Sequence, residues 1–393
     1  MRNSGTLLVS TSTMVLLLSA GCTTGDPGRP LEQRQVQVPP PRLSIMPADG
    51  TKKVPPDTEI RVRITDGKIA RLIVADAAGR EVSGSVGADG TWRPTWPLRP
   101  ATTYTVSARA TSADGGQMVT KRATFTTLKP RRVLETGMSP LNGEKVGVGM
   151  PIQLLLSKPV TEQKDRAAVE RSLTVQMSQP VEGAWSWVSD REVQFRPREY
   201  WPSGERVTVV AHLAGLRIGQ SLWGTKDRTV TFTVGPEHIT TIRNKTHRAI
   251  VRKNGEVVRT IPVSLGKPGY ESYSGTMIAQ EKAADFLMDS STIGIPGEYF
   301  HHTKWNVRMT YSGMFFHAAP WSTGDQGSRN VSHGCVNAST DNAHWFYHFT
   351  QRGDIINVTG TSRKLQFGNG PTPWAKSWKE WLAGSALATS TDA

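Results

Sequence analysis

Short runs of alternating apolar and polar residues dominate this chain. Residues 59–64 and 206–211 place an apolar side chain at every second position, the period of a strand with one buried face. Clusters of Gly, Pro, Asn and Asp lie between such runs and read as turns. The pattern also repeats. Pro47-Ala48-Asp49-Gly50-Thr51-Lys52 is answered by Pro140-Leu141-Asn142-Gly143-Glu144-Lys145, Trp92-Arg93-Pro94 by Phe195-Arg196-Pro197, and Ala123-Thr124-Phe125-Thr126 by Val230-Thr231-Phe232-Thr233. A period near one hundred residues is too long for a solenoid. It predicts two tandem β-sandwiches of immunoglobulin-like architecture, residues 42–128 and 129–235. Trp185, Trp187 and Trp201 fall on strands of the second copy and read as core.

Beyond residue 235 the pattern stays β-rich. Residues 248–253, Asn254-Gly255 and residues 256–263 predict a hairpin with a type I′ turn. Residues 311–317 read as a strand delivering His317, and Ser339 as the N-cap of a helix from about Thr340 to Gln351. Trp374, Trp378 and Trp381 form a stripe at helical spacing, so residues 361–384 are expected to dock a short helix on the domain formed by residues 236–360, with residues 385–393 as a frayed tail. The fold class is mainly β: two sandwiches, then a β-rich domain carrying a helix.

The N-terminus has a different texture. Arg2, a diluted apolar run over residues 7–18 and the small residues Ser19-Ala20-Gly21 before Cys22 read as a secretory signal over residues 1–21. Residues 19–22 resemble a bacterial lipoprotein box, which implies lipidation of Cys22. The proline-rich residues 22–41 read as a linker. The expected location is therefore outside the cytoplasm, lipid-anchored to the outer face of the cell membrane and facing the wall.

Lys and Arg total 47 against 33 Asp and Glu, a formal charge of +14 among 393 residues. That charge suits a polyanionic neighbour. The basic residues are scattered, with no block and no aromatic signature for stacking bases, which argues against nucleic acid and leaves an anionic envelope. The two cysteines, Cys22 and Cys335, need separate explanations, and no disulfide is expected.

Cys335 is the residue with chemistry. A neutral thiol is a poor nucleophile, so acyl transfer needs an imidazole within reach, and His317 precedes it on a predicted strand. Gly334 lets the backbone approach a substrate carbonyl, where amides of the turn could hold an oxyanion. His344 and His348 share a helix face but lack a third ligand or a zincin glutamate, so no metal is expected. The order His before Cys argues against a papain-like peptidase.

The string Ser332-His333-Gly334-Cys335-Val336-Asn337, with His317-Ala318-Ala319-Pro320-Trp321-Ser322, Tyr311-Ser312-Gly313 and Arg352-Gly353-Asp354, resembles the signature of the YkuD-type L,D-transpeptidases, over roughly residues 236–384. The paired sandwiches and lipoprotein-like start resemble the actinobacterial members. The resemblance implies Cys335 as nucleophile, His317 as general base and acid oriented by the carbonyl at position 318, and an oxyanion hole from the amides of His333, Gly334 and Cys335. Ser332, His333 and Asn337 would brace the loop. Tyr299, Ser312, Gly313, Trp321 and Met288 would line the substrate path under a flap at about residues 277–308. The implied partners are donor and acceptor peptidoglycan tetrapeptide stems, joined by three-to-three cross-links without a cofactor, and carbapenems would acylate the same sulfur. Two alternatives remain at this stage: an L,D-carboxypeptidase working through the same thioester, and a non-enzymatic envelope-binding lipoprotein.

Overall fold

The computed structural model describes residues 38–388, apart from 88 and 295. The signal segment, Cys22, most of the linker and residues 389–393 lie outside the described residues.

The internal repeat is two copies of one sandwich. In the first, one sheet orders the strands Arg42–Met46, Ile60–Thr65, Thr91–Pro94 and Gly84–Val86; the other orders Thr51–Val54, Met118–Thr127, Thr103–Ser112 and Gly67–Asp76. The second copy repeats both orders, with Thr136–Ser139, Ile152–Leu156, Glu192–Pro197 and Gly183–Ser189 facing Lys145–Val146, Arg228–Val234, Arg206–Ala211 and Leu173–Met177. The matched aromatic positions do matched work: Trp92 and Phe125 are buried in one core, Phe195 and Phe232 in the other. Trp187 and Trp201 are buried as expected, and Trp185 packs half-buried beside Phe195. The second copy adds the helix Gln163–Arg171 and a small sheet that takes Arg132–Leu134 as an edge strand. That helix is mostly polar and buries Asp165 and Glu170 beside Ala167 and Val169, so no apolar stripe announces it. The sandwiches meet through the Trp96–His212 stack, centroids 3.9 Å apart, and an Arg99–Asp227 ion pair at 3.0 Å.

The third domain joins a five-stranded sheet to a four-stranded one. The first runs Glu256–Pro262, Arg248–Lys253, His238–Arg243, Ile355–Thr359, Gly275–Ile278; the second runs Glu281–Asp289, Phe300–Arg308, Phe315–Ala318, Val336–Ala338. Asn254 and Gly255 have φ of 50° and 83°, the two positive values a type I′ turn requires. The helix Thr340–Phe349 starts where Ser339 Oγ accepts the Asn342 N–H at 3.3 Å, and it buries Phe346 against Phe316. It ends two residues earlier than the sequence suggests, because Thr350 is already extended.

The C-terminal segment corrects the sequence reading. Trp374 donates its indole N–H to the Gly149 carbonyl at 2.7 Å and Trp381 donates to the Ala184 carbonyl at 2.9 Å, so the stripe docks on the second sandwich. The Arg196 guanidinium lies 4.7, 5.1 and 5.2 Å from the rings of Trp374, Trp378 and Trp381. Burial lowers its pKa to about 10. The aromatic surface of that sandwich, with Tyr200 edge-on to Trp374, offers the stripe the apolar face it needs. Residues 385–386 are not frayed: the Ser385 hydroxyl and the Ala386 N–H both donate to the buried Glu170 carboxylate. Upstream, the same segment hydrogen-bonds the third domain through Leu365 N–H to Ser274 O at 2.8 Å, so it straps two domains together. Truncating a buried tryptophan such as Trp381 to alanine costs about 3–5 kcal/mol in general. A second tie is the Arg352 guanidinium, which grips Glu144 of the second sandwich through two nitrogens at 2.7 and 2.5 Å.

Candidate active site

The strand Phe315–Ala318 pairs in parallel with Val336–Ala338, setting His317 beside Asn337 and bringing Cys335, one residue ahead of the second strand, to the same end of the sheet. The turn before Cys335 is tightly fixed. Gly334 has φ of 121°, a conformation that disfavours any side chain. Ser332 Oγ donates to the Cys335 carbonyl at 2.7 Å and accepts the Gly334 N–H at 3.1 Å, and Ser272 Oγ donates to the Gly334 carbonyl at 2.8 Å. The Asn337 side-chain amide donates to Ser322 Oγ at 3.1 Å, which ties this strand to the short helix carrying Trp321.

His317 is buried, and its Nδ1–H donates to the Ala318 carbonyl at 2.9 Å. A carbonyl only accepts, so the proton sits on Nδ1 and Nε2 keeps its lone pair. Burial pulls the imidazole down to about 4, against the pull of the Ala318 hydrogen bond, with His301 lowering it further. The half-buried Cys335 thiol donates to the Gly313 carbonyl at 3.6 Å, and desolvation pushes it up to about 11. At neutral pH the site therefore holds an uncharged thiol and an uncharged imidazole. Both line one cavity of about 380 Å³.

The hairpin of Glu281–Asp289 and Phe300–Arg308 roofs this cavity. The flap expected over residues 277–308 is shorter at its start, because Met277 and Ile278 are buried in the five-stranded sheet, paired with Ile356 and Ile355. Met288 and Tyr299 line the cavity, and burial together with the Cys335 and Asp289 charges raises the Tyr299 phenol to about 12. Trp321 lies at the rim, 57% exposed, its ring 4.8 Å from His301 and 6.2 Å from His317.

Ser332, His333 and Asn337 also line the cavity, but Ser312 and Gly313 do not. Ser312 is tied instead to Asn369, accepting its amide N–H on Oγ at 2.9 Å and donating its backbone N–H to Oδ1 at 2.9 Å. Gly313, with φ of 92°, contributes only its carbonyl, since it has no side chain to offer. The sequence reading missed Glu298, His301, Thr303 and Val331 as cavity residues. Tyr299, His301 and Thr303 alternate on one face of the flap, so strand period alone could have extended the assignment from the first to the others. His344 and His348 meet edge-on, centroids 4.5 Å apart, beside Trp305, and no group of three potential ligands for a metal occurs among the described residues.

Comparison with known proteins bears on the domains that carry this site. A bacterial Ig domain model matches residues 51–217, spanning parts of both sandwiches, and an L,D-transpeptidase catalytic domain model matches residues 237–358. Immunoglobulin-like domains thus precede a transpeptidase domain. L,D-transpeptidase 2 of Mycobacterium tuberculosis is 34% identical over 98% of this chain and 95% of its own length. L,D-transpeptidase 5 of the same species is 36% identical over 89% of this chain and 78% of its own. The solved structure of the LD transpeptidase LdtMt1 in complex with imipenem covers 58% of this chain and 100% of its own, at 37% identity and a TM-score of 0.50. The chain belongs to the L,D-transpeptidase family.

Proposed function

We propose that this protein cross-links peptidoglycan through a thioester formed at Cys335. The observation that carries the reading is the neutral pair in one roofed cavity, with a protonated thiol and an imidazole whose Nε2 is bare. When a donor stem enters, the thiol proton passes to His317 Nε2 and the sulfur attacks the carbonyl at the L-centre of diaminopimelate. The oxyanion is held by backbone amides of the turn at His333 to Cys335. Since the Gly334 N–H already serves Ser332 Oγ, the His333 and Cys335 amides carry this role. D-Alanine leaves with the proton from His317, and the side-chain amine of a second stem resolves the thioester into a three-to-three cross-link. The flap excludes water while the acyl group waits.

The test is product analysis by mass spectrometry after incubation of the protein with disaccharide tetrapeptide. Dimer with loss of D-alanine is expected. Tripeptide alone would assign an L,D-carboxypeptidase, and the absence of both products would leave a non-enzymatic envelope protein. A solved relative holds imipenem, which supports carbapenem acylation of Cys335 here. We further propose anchoring of Cys22 in the outer face of the cell membrane, on the strength of the sequence pattern around it. Cells fed labelled fatty acid should label the protein, and the label should vanish in Cys22→Ala; equal labelling of both would refute the anchor.

A further inference from the structure

Glu298 is the single carboxylate among the described residues lining the cavity of Cys335 and His317, in a chain whose formal charge is +14. It stands near the tip of the flap, its side chain 47% exposed, with Oε2 at 3.2 Å from Nε2 of His333. That imidazole is two residues ahead of the sulfur. The same Nε2 lies 2.9 Å from Nζ of Lys267. One ring nitrogen cannot serve both neighbours, because an ammonium only donates and a carboxylate only accepts. If Nε2 carried a proton it would suit Glu298 but would set two donors head to head at 2.9 Å. With the lone pair turned to Lys267, the Glu298 oxygen faces that nitrogen with no hydrogen between them. No other hydrogen bond or ion pair reaches Glu298 among the described residues. The carboxylate is thus aimed at the catalytic turn and lacks a donor from its own chain.

We infer that Glu298 is the specificity residue for the acceptor, receiving the ammonium of the incoming stem; this rests on the proposed transpeptidation. The acceptor arrives as an ammonium held by Glu298. One proton passes from the bound ammonium to water, which leaves the free amine that attacks. The amine nitrogen then bonds to the thioester carbonyl carbon and the C–S bond breaks. The remaining surplus proton on nitrogen passes through His317 to the departing sulfur, restoring the thiol.

The test separates recognition from chemistry. In a Cys335→Ala background, which cannot turn over, binding of a diaminopimelate tripeptide stem is compared with that of the same stem acetylated on its side-chain amine, with Glu298 intact and as Glu298→Gln. Titration calorimetry should show that Glu298→Gln weakens the free-amine stem about tenfold, as expected for a lost charge-assisted bond, and the acetylated stem less than twofold. Glu298→Asp should recover part of the loss. Equal weakening of both stems would mean that Glu298 only latches the flap, and would overturn the inference, as would no weakening of either. Failure of the transpeptidation reading shows separately, as the absence of cross-linked dimer when the Cys335 protein is incubated with disaccharide tetrapeptide.

Discussion

Cys335→Ala protein yields neither dimer nor tripeptide from disaccharide tetrapeptide, with turnover down by at least about 10⁴-fold, the scale set by removing the nucleophile from a covalent mechanism. The loss is chemical, because the sulfur contributes little to the fold. It makes one weak S–H···O contact of 3.6 Å, and the turn around it is held by Ser332, Ser272 and backbone groups that alanine leaves in place. Thermal melting should place the variant within a few degrees of the parent. Turnover that survives the substitution in a protein melting normally would refute the thioester. The variant should also alter stability at high pH in a defined sense. The folded thiol is raised from 9.0 to about 11, so its contribution to stability is complete below pH 9 and is lost as pH rises through 11. Without the thiol, that alkaline slope should flatten.

His317→Gln is the second large effect, a fall of about 10³-fold in dimer formation, typical of a lost general base. Glutamine preserves much of the volume but cannot shuttle the proton. The pH behaviour distinguishes this from mere disruption. His317 is lowered from 6.5 to about 4, so above pH 6.5 both folded and unfolded chains keep it neutral and it adds no pH dependence. Between pH 6.5 and 4 the unfolded chain takes a proton that the folded one refuses, and stability is lost across that window, about 3 kcal/mol in all. Urea denaturation at a series of pH values should show this acid slope in the parent and a shallower one in His317→Gln. Activity of the parent should hold to about pH 5 and fall as pH nears 4. An acid limb of activity centred near 6.5 instead would mean that the imidazole is not desolvated as the structure has it.

The sequence made the sandwiches legible because both copies keep period-two strands and the same aromatic punctuation, such as Trp92 against Phe195. The Asn254-Gly255 turn and the Ser339 cap were legible for a similar reason: each is a local device whose geometry depends on its own few residues. Cys335 and His317 stood out through chemistry and family resemblance, and even the Ala318 carbonyl partner was foreseen. What could not be read was relation in space. Trp374, Trp378 and Trp381 announce a buried stripe, but only the cage around Arg196 shows which domain buries it. Ser312 and Gly313 lie near the sulfur in the chain's path, yet the turn directs one toward Asn369 and leaves the other only a carbonyl. Glu298 carries no periodic signal at all, since it sits in the turn, and its place depends on Lys267 and His333 converging from distant segments.

The strap has a consequence for vectorial synthesis. The slot on the second sandwich that receives Trp381 is complete in strands that end at Val234, whereas its occupant emerges about 150 residues later. As the chain emerges N-terminus first, this aromatic socket can form before the residues that fill it arrive. Until the last turn of helix arrives, that half-built surface stays uncovered, and a gene shortened at residue 360 would leave it so permanently.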